Sequence, residues 1–196
     1  DGVIADTNKL KMTTFLECID GDKNKKNFYI FNLKNINIES EKKFFYFYKV
    51  ILKNKNYQML ALKKNILYNK ILQKKIQNIK INPNISNYLK LLKRRNKKLC
   101  IVSSASTEFV KKFLMKKNIN NFFYKILTKP KSKKENFNIL FQLFDKNSSI
   151  YFGDTYSDYS ICKSINLDFV LVKKYSIDKK AINLSSNSRV LCINNF

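Results

Sequence analysis

One change of texture, at Pro83, constrains this chain more than any other feature. Before it, from the first few residues to about Ile81, there is a single Gly, Gly21, and no Pro. Apolar residues recur there at helical spacing, first Phe44, Phe47, Tyr48 and Ile51, then Leu60, Leu67, Ile71 and Ile76. That stretch predicts three or four helices and no strand. After Pro83, short apolar runs alternate with amphipathic segments of about a dozen residues. Strands are expected at 99–102, 122–127, 150–152 and 169–172, with a last strand or packed tail at 189–193. Helices are expected at 85–95, from Ser106, at 133–144 and at 156–165. Such alternation means an α/β fold, a doubly wound Rossmann-like parallel sheet. The first residues, Asp1 to Thr7, read as the end of a buried strand running into a loop, with Thr7 capping a helix from Asn8. The expected division is therefore a core of 1–8 and 82–196 with an inserted α-helical cap of 9–81.

Composition narrows the chemistry. The chain has 196 residues, 39 Lys+Arg against 14 Asp+Glu, and no His. Without imidazole there is no Ser-His-Asp triad, no Cys-His pair and no His-ligated zinc. The net charge of +25 suggests nucleic acid. Yet Arg94, Arg95 and Arg189 are its only arginines, and Lys and Asn abound. Base and phosphate readout favours the bidentate Arg fork, so the charge reads as the imprint of an AT-rich genome. Cys18, Cys100, Cys162 and Cys192 form no CxxC pair and read as thiols of a reducing cytoplasm. No apolar run has the length of a membrane span.

In an open α/β sheet the ligand site lies beyond the carboxyl ends of the strands. Asp1-Gly2 follow the first run, Ser103-Ser104 the second, Lys129, Lys131, Lys133 and Lys134 the third, and Gly153-Asp154-Thr155-Tyr156-Ser157-Asp158 the fourth. Carboxylates hold a hard cation such as Mg²⁺. Hydroxyls, a helix N-terminus and an ammonium hold a phosphate. Two of the three glycines, Gly2 and Gly153, flank these carboxylates in a chain that otherwise avoids Gly.

With "DGVIADT", "IVSS", a lysine and "GDTYSD" in this order, the chain resembles the haloacid dehalogenase superfamily, in its helical-cap branch of phosphatases. The resemblance implies a general acid and then base at Asp1. It implies a metal site drawn from Asp1, Asp154 and Asp158, phosphate binding by Ser103 and Ser104, and a charge-balancing lysine. That lysine is placed at Lys133, with Lys129, Lys131 and Lys134 as alternatives. The family's nucleophilic Asp would stand two positions before Asp1, so the chain is expected to be N-terminally truncated. Ser40-Glu41-Lys42-Lys43-Phe44 is similar to a cap segment of the family that carries Ser-Arg-x-x-Lys-Phe, which makes Lys43 a candidate substrate contact. The implied activity is a cytoplasmic, Mg²⁺-dependent hydrolysis of a small phosphorylated metabolite. A phosphomutase of the β-phosphoglucomutase type is the rival enzyme. A basic nucleic-acid-binding module or a purely structural domain of this family are the non-catalytic rivals.

Overall fold

A computed structural model describes residues 2–186 and 190–196. Asp1 and Arg189 therefore lie outside the described residues. The chain divides into two compact units, one of 1–6 and 79–196, the other of 7–78.

The second unit is helical: α1 (Thr7–Glu17), α2 (Asp22–Lys34), α3 (Ser40–Tyr46) and α4 (Tyr57–Ile76). Its core is aromatic. Phe15, Phe28, Phe44, Phe47 and Tyr68 are buried together, with Phe15 stacked on Tyr68 at 4.0 Å and Phe28 edge-on to Phe47 at 4.9 Å. Each such ring contributes about 1.5–3 kcal/mol by leaving water, which offsets the weak helix propensity of so many Phe, Tyr and Asn residues. A π-helical turn at Phe47–Ile51 continues α3 and lets the consecutive Phe47 and Tyr48 both face inward.

The first unit is the α/β core. After α5 (Ile85–Arg94) come β1 (Leu99–Val102), α6 (Thr107–Lys116), β2 (Phe123–Leu127), α7 (Lys133–Phe141), β3 (Ile150–Gly153), α8 (Tyr156–Ser164), β4 (Asp168–Val172), α9 (Lys179–Asn183) and β5 (Leu191–Ile193). Every pairing among these strands is parallel. They form two ladders, β1–β2 and β3–β4–β5. One apolar layer gathers Ile85, Leu89, Val110, Leu114 and Ile119, mostly from α5 and α6. Another gathers Val102, Phe137, Leu140, Cys162 and Leu167, mostly from α7 and α8. Helices thus cover both faces, which is the doubly wound arrangement.

The helices that follow strands open on side-chain caps. Ser106 accepts from Phe109 N–H, Ser132 and Thr155 form capping boxes with Glu135 and Asp158, and Asp178 accepts from Lys180 and Ala181 N–H. Caps of this kind satisfy orphaned N–H groups and contribute about 1 kcal/mol each. They also fix where each helix leaves its strand, and that is where the candidate site residues sit.

The structure departs from expectation in three places. Residues 2–4 are not a strand, and only Ala5 makes a β-bridge, antiparallel to Ile81. The left-handed Gly2, at φ +53°, breaks the extended run. Thr7 is the first residue of α1 rather than its cap. The short α9 has no apolar period to announce it, being set by the Asp178 cap.

Candidate active site

Gly153 ends β3, and the chain turns at once through Asp154 and Thr155 into α8. The turn leaves no room for a side chain. A Cβ on Gly153 would stand 2.7 Å from Asp158 Cβ and 2.8 Å from the Phe169 ring. The Asp154 carboxylate lies against Gly2, where a Cβ would fall 2.0 Å from its Oδ2. The two glycines marked in the sequence therefore share one cause. Each makes space for a carboxylate, and Gly2 also supplies a backbone angle that other residues rarely adopt.

Asp158 is 2% exposed and fully engaged. Its Oδ2 accepts from Thr155 N at 3.3 Å and Thr155 Oγ1 at 2.8 Å. Its Oδ1 accepts from the Lys133 ammonium, with the Tyr151 hydroxyl at 3.5 Å. Burial alone would raise the Asp158 pKa. The Lys133 charge and the bonds from Lys133 and Thr155 outweigh it and hold the carboxyl below its ordinary range. The Lys133 pKa shifts the other way. Burial opposes its charge, but Tyr151, Asp158 and Asp154 surround it and drive its pKa well above the ordinary lysine value. Asp158 is thus turned to a protein cation and holds Lys133.

Of the four candidate lysines, Lys133 pairs with Asp158, while Lys129, Lys131 and Lys134 are exposed. Lys133 is the first residue of α7, behind the Ser132 capping box. Ser103 follows β1. Its N–H donates to the Leu127 carbonyl at 3.0 Å, and its Oγ accepts from Ala105 N at 3.2 Å, which shapes the turn holding the exposed Ser104. The Tyr151 hydroxyl, on β3, donates to the carbonyl of Val102 at 3.3 Å, just before Ser103. This bond joins the β1 end to the Lys133–Asp158 pair. Tyr151 had no signal in the sequence beyond being an aromatic residue in a strand.

Lys43 lies in the helical unit, 4% exposed. Its Nζ donates to Asn32 Oδ1 at 2.6 Å and to the Ile36 carbonyl at 3.1 Å, and sits 5.1 Å over the Phe15 ring. No acidic group is among these partners. Burial, helped by nearby Lys11, pushes its pKa down to about 7. The ammonium expected to contact substrate is thus held by groups of its own helical unit.

Among the described residues no group of three or more His, Cys, Asp or Glu side chains could hold a metal ion. The chemistry of the donors still fits a hard cation at Asp154, a buried carboxylate at a strand end whose Oδ2 lies against the Gly2 backbone. The thiols play no part there. Burial pushes Cys18 up to about 11 and Cys162 up to about 12. No described helix is long and apolar enough to cross a membrane.

The family model for haloacid dehalogenase-like hydrolases matches residues 1–172. The chain belongs to that family. No curated protein gives a significant match. Among solved structures, a protein assigned as a phosphatase from Clostridium difficile aligns over 100% of this chain and 91% of its own, at 22% identity and a TM-score of 0.74. A β-phosphoglucomutase from Clostridium difficile aligns over 100% and 87%, at 18% identity and 0.72. The Bacillus subtilis protein YfnB, assigned as a hydrolase of this family and described as bound to magnesium, aligns over 100% and 92%, at 16% identity and 0.69. At these identities the likeness is one of fold: a Rossmann-like core with a helical cap.

Proposed function

We propose that this protein is a Mg²⁺-dependent phosphomonoester hydrolase acting on a small organic phosphate through an aspartyl-phosphate. One observation carries the reading above others: Lys133 paired with the buried Asp158, beside an Asp154 carboxylate that is pressed onto Gly2. A cation and a carboxylate are held side by side at one strand end, where a phosphate and a divalent metal need opposite partners.

Asp154 would hold the Mg²⁺, together with groups around residue 1. The metal, when bound, screens the charge of the phosphoryl oxygens. Lys133 balances the negative charge of nucleophile and phosphate, and Asp158 keeps it charged and aimed. Ser103 Oγ and the Ser104 backbone would hydrogen-bond the phosphoryl oxygens. In the first step a carboxylate two positions before Asp1 attacks phosphorus, the bond from phosphorus to the leaving oxygen breaks, and Asp1 gives that oxygen its proton. In the second step the Asp1 carboxylate takes a proton from water as the water attacks, and the acyl phosphate bond breaks. Alcohol and inorganic phosphate leave. Lys43 takes no part in this scheme. The cytoplasm is the proposed compartment.

The test is phosphate release from sugar phosphates, phosphoglycolate and nucleotides by the protein expressed with its upstream codons. Release that needs Mg²⁺ and vanishes in Asp154→Asn, with the fold intact by circular dichroism, is expected. An upstream codon for Asn, Gly or Ser, or unchanged turnover in Asp154→Asn, overturns the reading.

A further inference from the structure

The segment after β4 reaches back to the Asp154 turn from 22 residues away and grips it on both sides. Ser176 Oγ donates to the Asp154 carbonyl at 2.6 Å. Asp178 Oδ2 accepts from the Tyr156 N–H at 2.9 Å. The two grips are joined, because Ser176 Oγ also accepts from Asp178 N at 3.4 Å. They rest on rigid structure. Ser176 N donates to the Lys173 carbonyl at 3.0 Å, and Lys173 N donates to the Ile193 carbonyl of β5 at 2.9 Å. On the other side, Asp178 Oδ1 accepts from Lys180 N at 3.0 Å and Ala181 N at 3.4 Å, anchoring α9.

A cap for α9 alone does not need this arrangement. One Asp178 oxygen serves α9, and the second crosses to the first turn of α8. Asp178 is buried, at 6% exposed, so a carboxylate here costs desolvation that its three N–H donors must offset. Tyr156 N–H is an orphan donor of the α8 N-terminus, because Thr155 caps the helix through Asp158 N–H instead. Ser176 and Asp178 together fix the peptide groups immediately before and after Thr155. Those peptide groups set the direction in which the Asp154 side chain leaves the backbone.

We infer that Ser176 and Asp178 are positioning residues, a clamp that holds the Asp154 carboxylate in place for a divalent cation. The inference rests on the proposed reading of Asp154 as the metal's carboxylate. Neither residue touches the metal or the phosphate. Each acts through the turn, as hydrogen-bond partners one step removed from a ligand orient it.

The experiment uses the full chain with its upstream residues and Mn²⁺ as a paramagnetic probe, titrated by EPR without substrate. Parent protein is expected to bind Mn²⁺, and Asp154→Asn to lose that binding. Ser176→Ala and Asp178→Asn are each expected to weaken it by about tenfold or more. At saturating Mg²⁺ their kcat is expected to stay within about threefold of parent, a metal-affinity effect rather than a transition-state one. Ser176→Thr restores the hydroxyl and is expected to restore affinity. In Asp178→Asn the Tyr156 amide is expected to exchange faster with deuterium. Ser176→Ala disturbs no helix cap, so it decides the matter if Asp178→Asn fails to fold. Folded variants that bind Mn²⁺ as tightly as parent overturn the clamp alone. A parent that binds no Mn²⁺, or binds it equally after Asp154→Asn, overturns the metal reading and the clamp with it.

Discussion

Two lysines withdrawn from solvent, one in each unit, meet opposite fates. Lys133 in the α/β core faces the Asp158 carboxylate and is held charged far above the ordinary lysine range. Lys43 in the helical unit faces an amide, a peptide carbonyl and a ring, and its pKa falls to about 7. Burial disfavours the charge in both. What differs is whether a full negative charge is close enough to repay the lost hydration. A buried ammonium is therefore not by itself a mark of a site. The one paired with a carboxylate is fit to balance a phosphate, and the one held by an amide, a peptide carbonyl and a ring is part of a core.

The largest expected effect is on the paired side. Lys133→Met leaves Asp158 buried without its cation and is expected to cost about 3–5 kcal/mol of core stability, read by urea unfolding at pH 7. Phosphate release should fall by about 10² or more in the folded fraction. A loss under about 1 kcal/mol would erase the contrast between the two lysines.

The pH dependence should separate the two units next. The folded Lys43 pKa, about 7, lies below its ordinary 10.5, so the unfolded chain holds more protons between those values. Stability of the helical unit is then expected to rise from pH 7 to about pH 9, by up to about 1.4 kcal/mol per unit, until the raised Cys18 thiol of the same unit begins to pull the other way. The Lys133–Asp158 pair behaves otherwise. The Asp158 contribution is lost only as pH falls below its ordinary 3.8, and that of Lys133 only as pH rises above 10.5, so its effect is flat across the same window. Calorimetry of parent and Lys43→Met should show the slope in the parent alone. A slope that survives in Lys43→Met assigns it to another group.

Asn32→Asp offers a way to turn one lysine into the other. It places a carboxylate at the atom 2.6 Å from Lys43 Nζ, at the loss of the amide's 3.2 Å bond to Met12 Sδ. The Lys43 pKa is expected to rise, and the pH slope of the helical unit to flatten by about 1 kcal/mol or more over the window. An unchanged slope would mean that a neighbouring charge does not decide the difference. The smallest effect belongs to Tyr151→Phe, which removes the hydroxyl bridging Val102 and Asp158 and keeps the ring against Phe137. A loss of about 0.5–1.5 kcal/mol is expected in urea unfolding.

Much of this site was legible because its residues follow one another along the chain. "GDTYSD" carries the Gly that allows the turn, the carboxylate, the Thr cap and the Asp that answers it three positions on, all within one helical turn. The strand–helix alternation after Pro83 was legible for the same reason, since hydrophobic period is a local signal. Local signals failed where lysine is everywhere. Lys129, Lys131, Lys133 and Lys134 are alike in sequence, and the Ser132 capping box with the reach to Asp158, 25 residues on, separates them. Lys43 was singled out by a likeness to a short cap segment, and a local likeness carries no record of the packing of Asn32, Ile36 and Phe15 around it.

The sequence by itself determined the chemistry available to this protein. It has no imidazole, carboxylates and hydroxyls stand at strand ends, and two of its three glycines, Gly2 and Gly153, stand beside those carboxylates. Which groups meet was decided by the tertiary structure alone. The Lys133–Asp158 pair, the Tyr151 bridge and the Ser176–Asp178 clamp join residues 22 or more positions apart or on separate ladders. A buried charge is stable only where such a distant partner arrives, and no periodicity along the chain records that arrival.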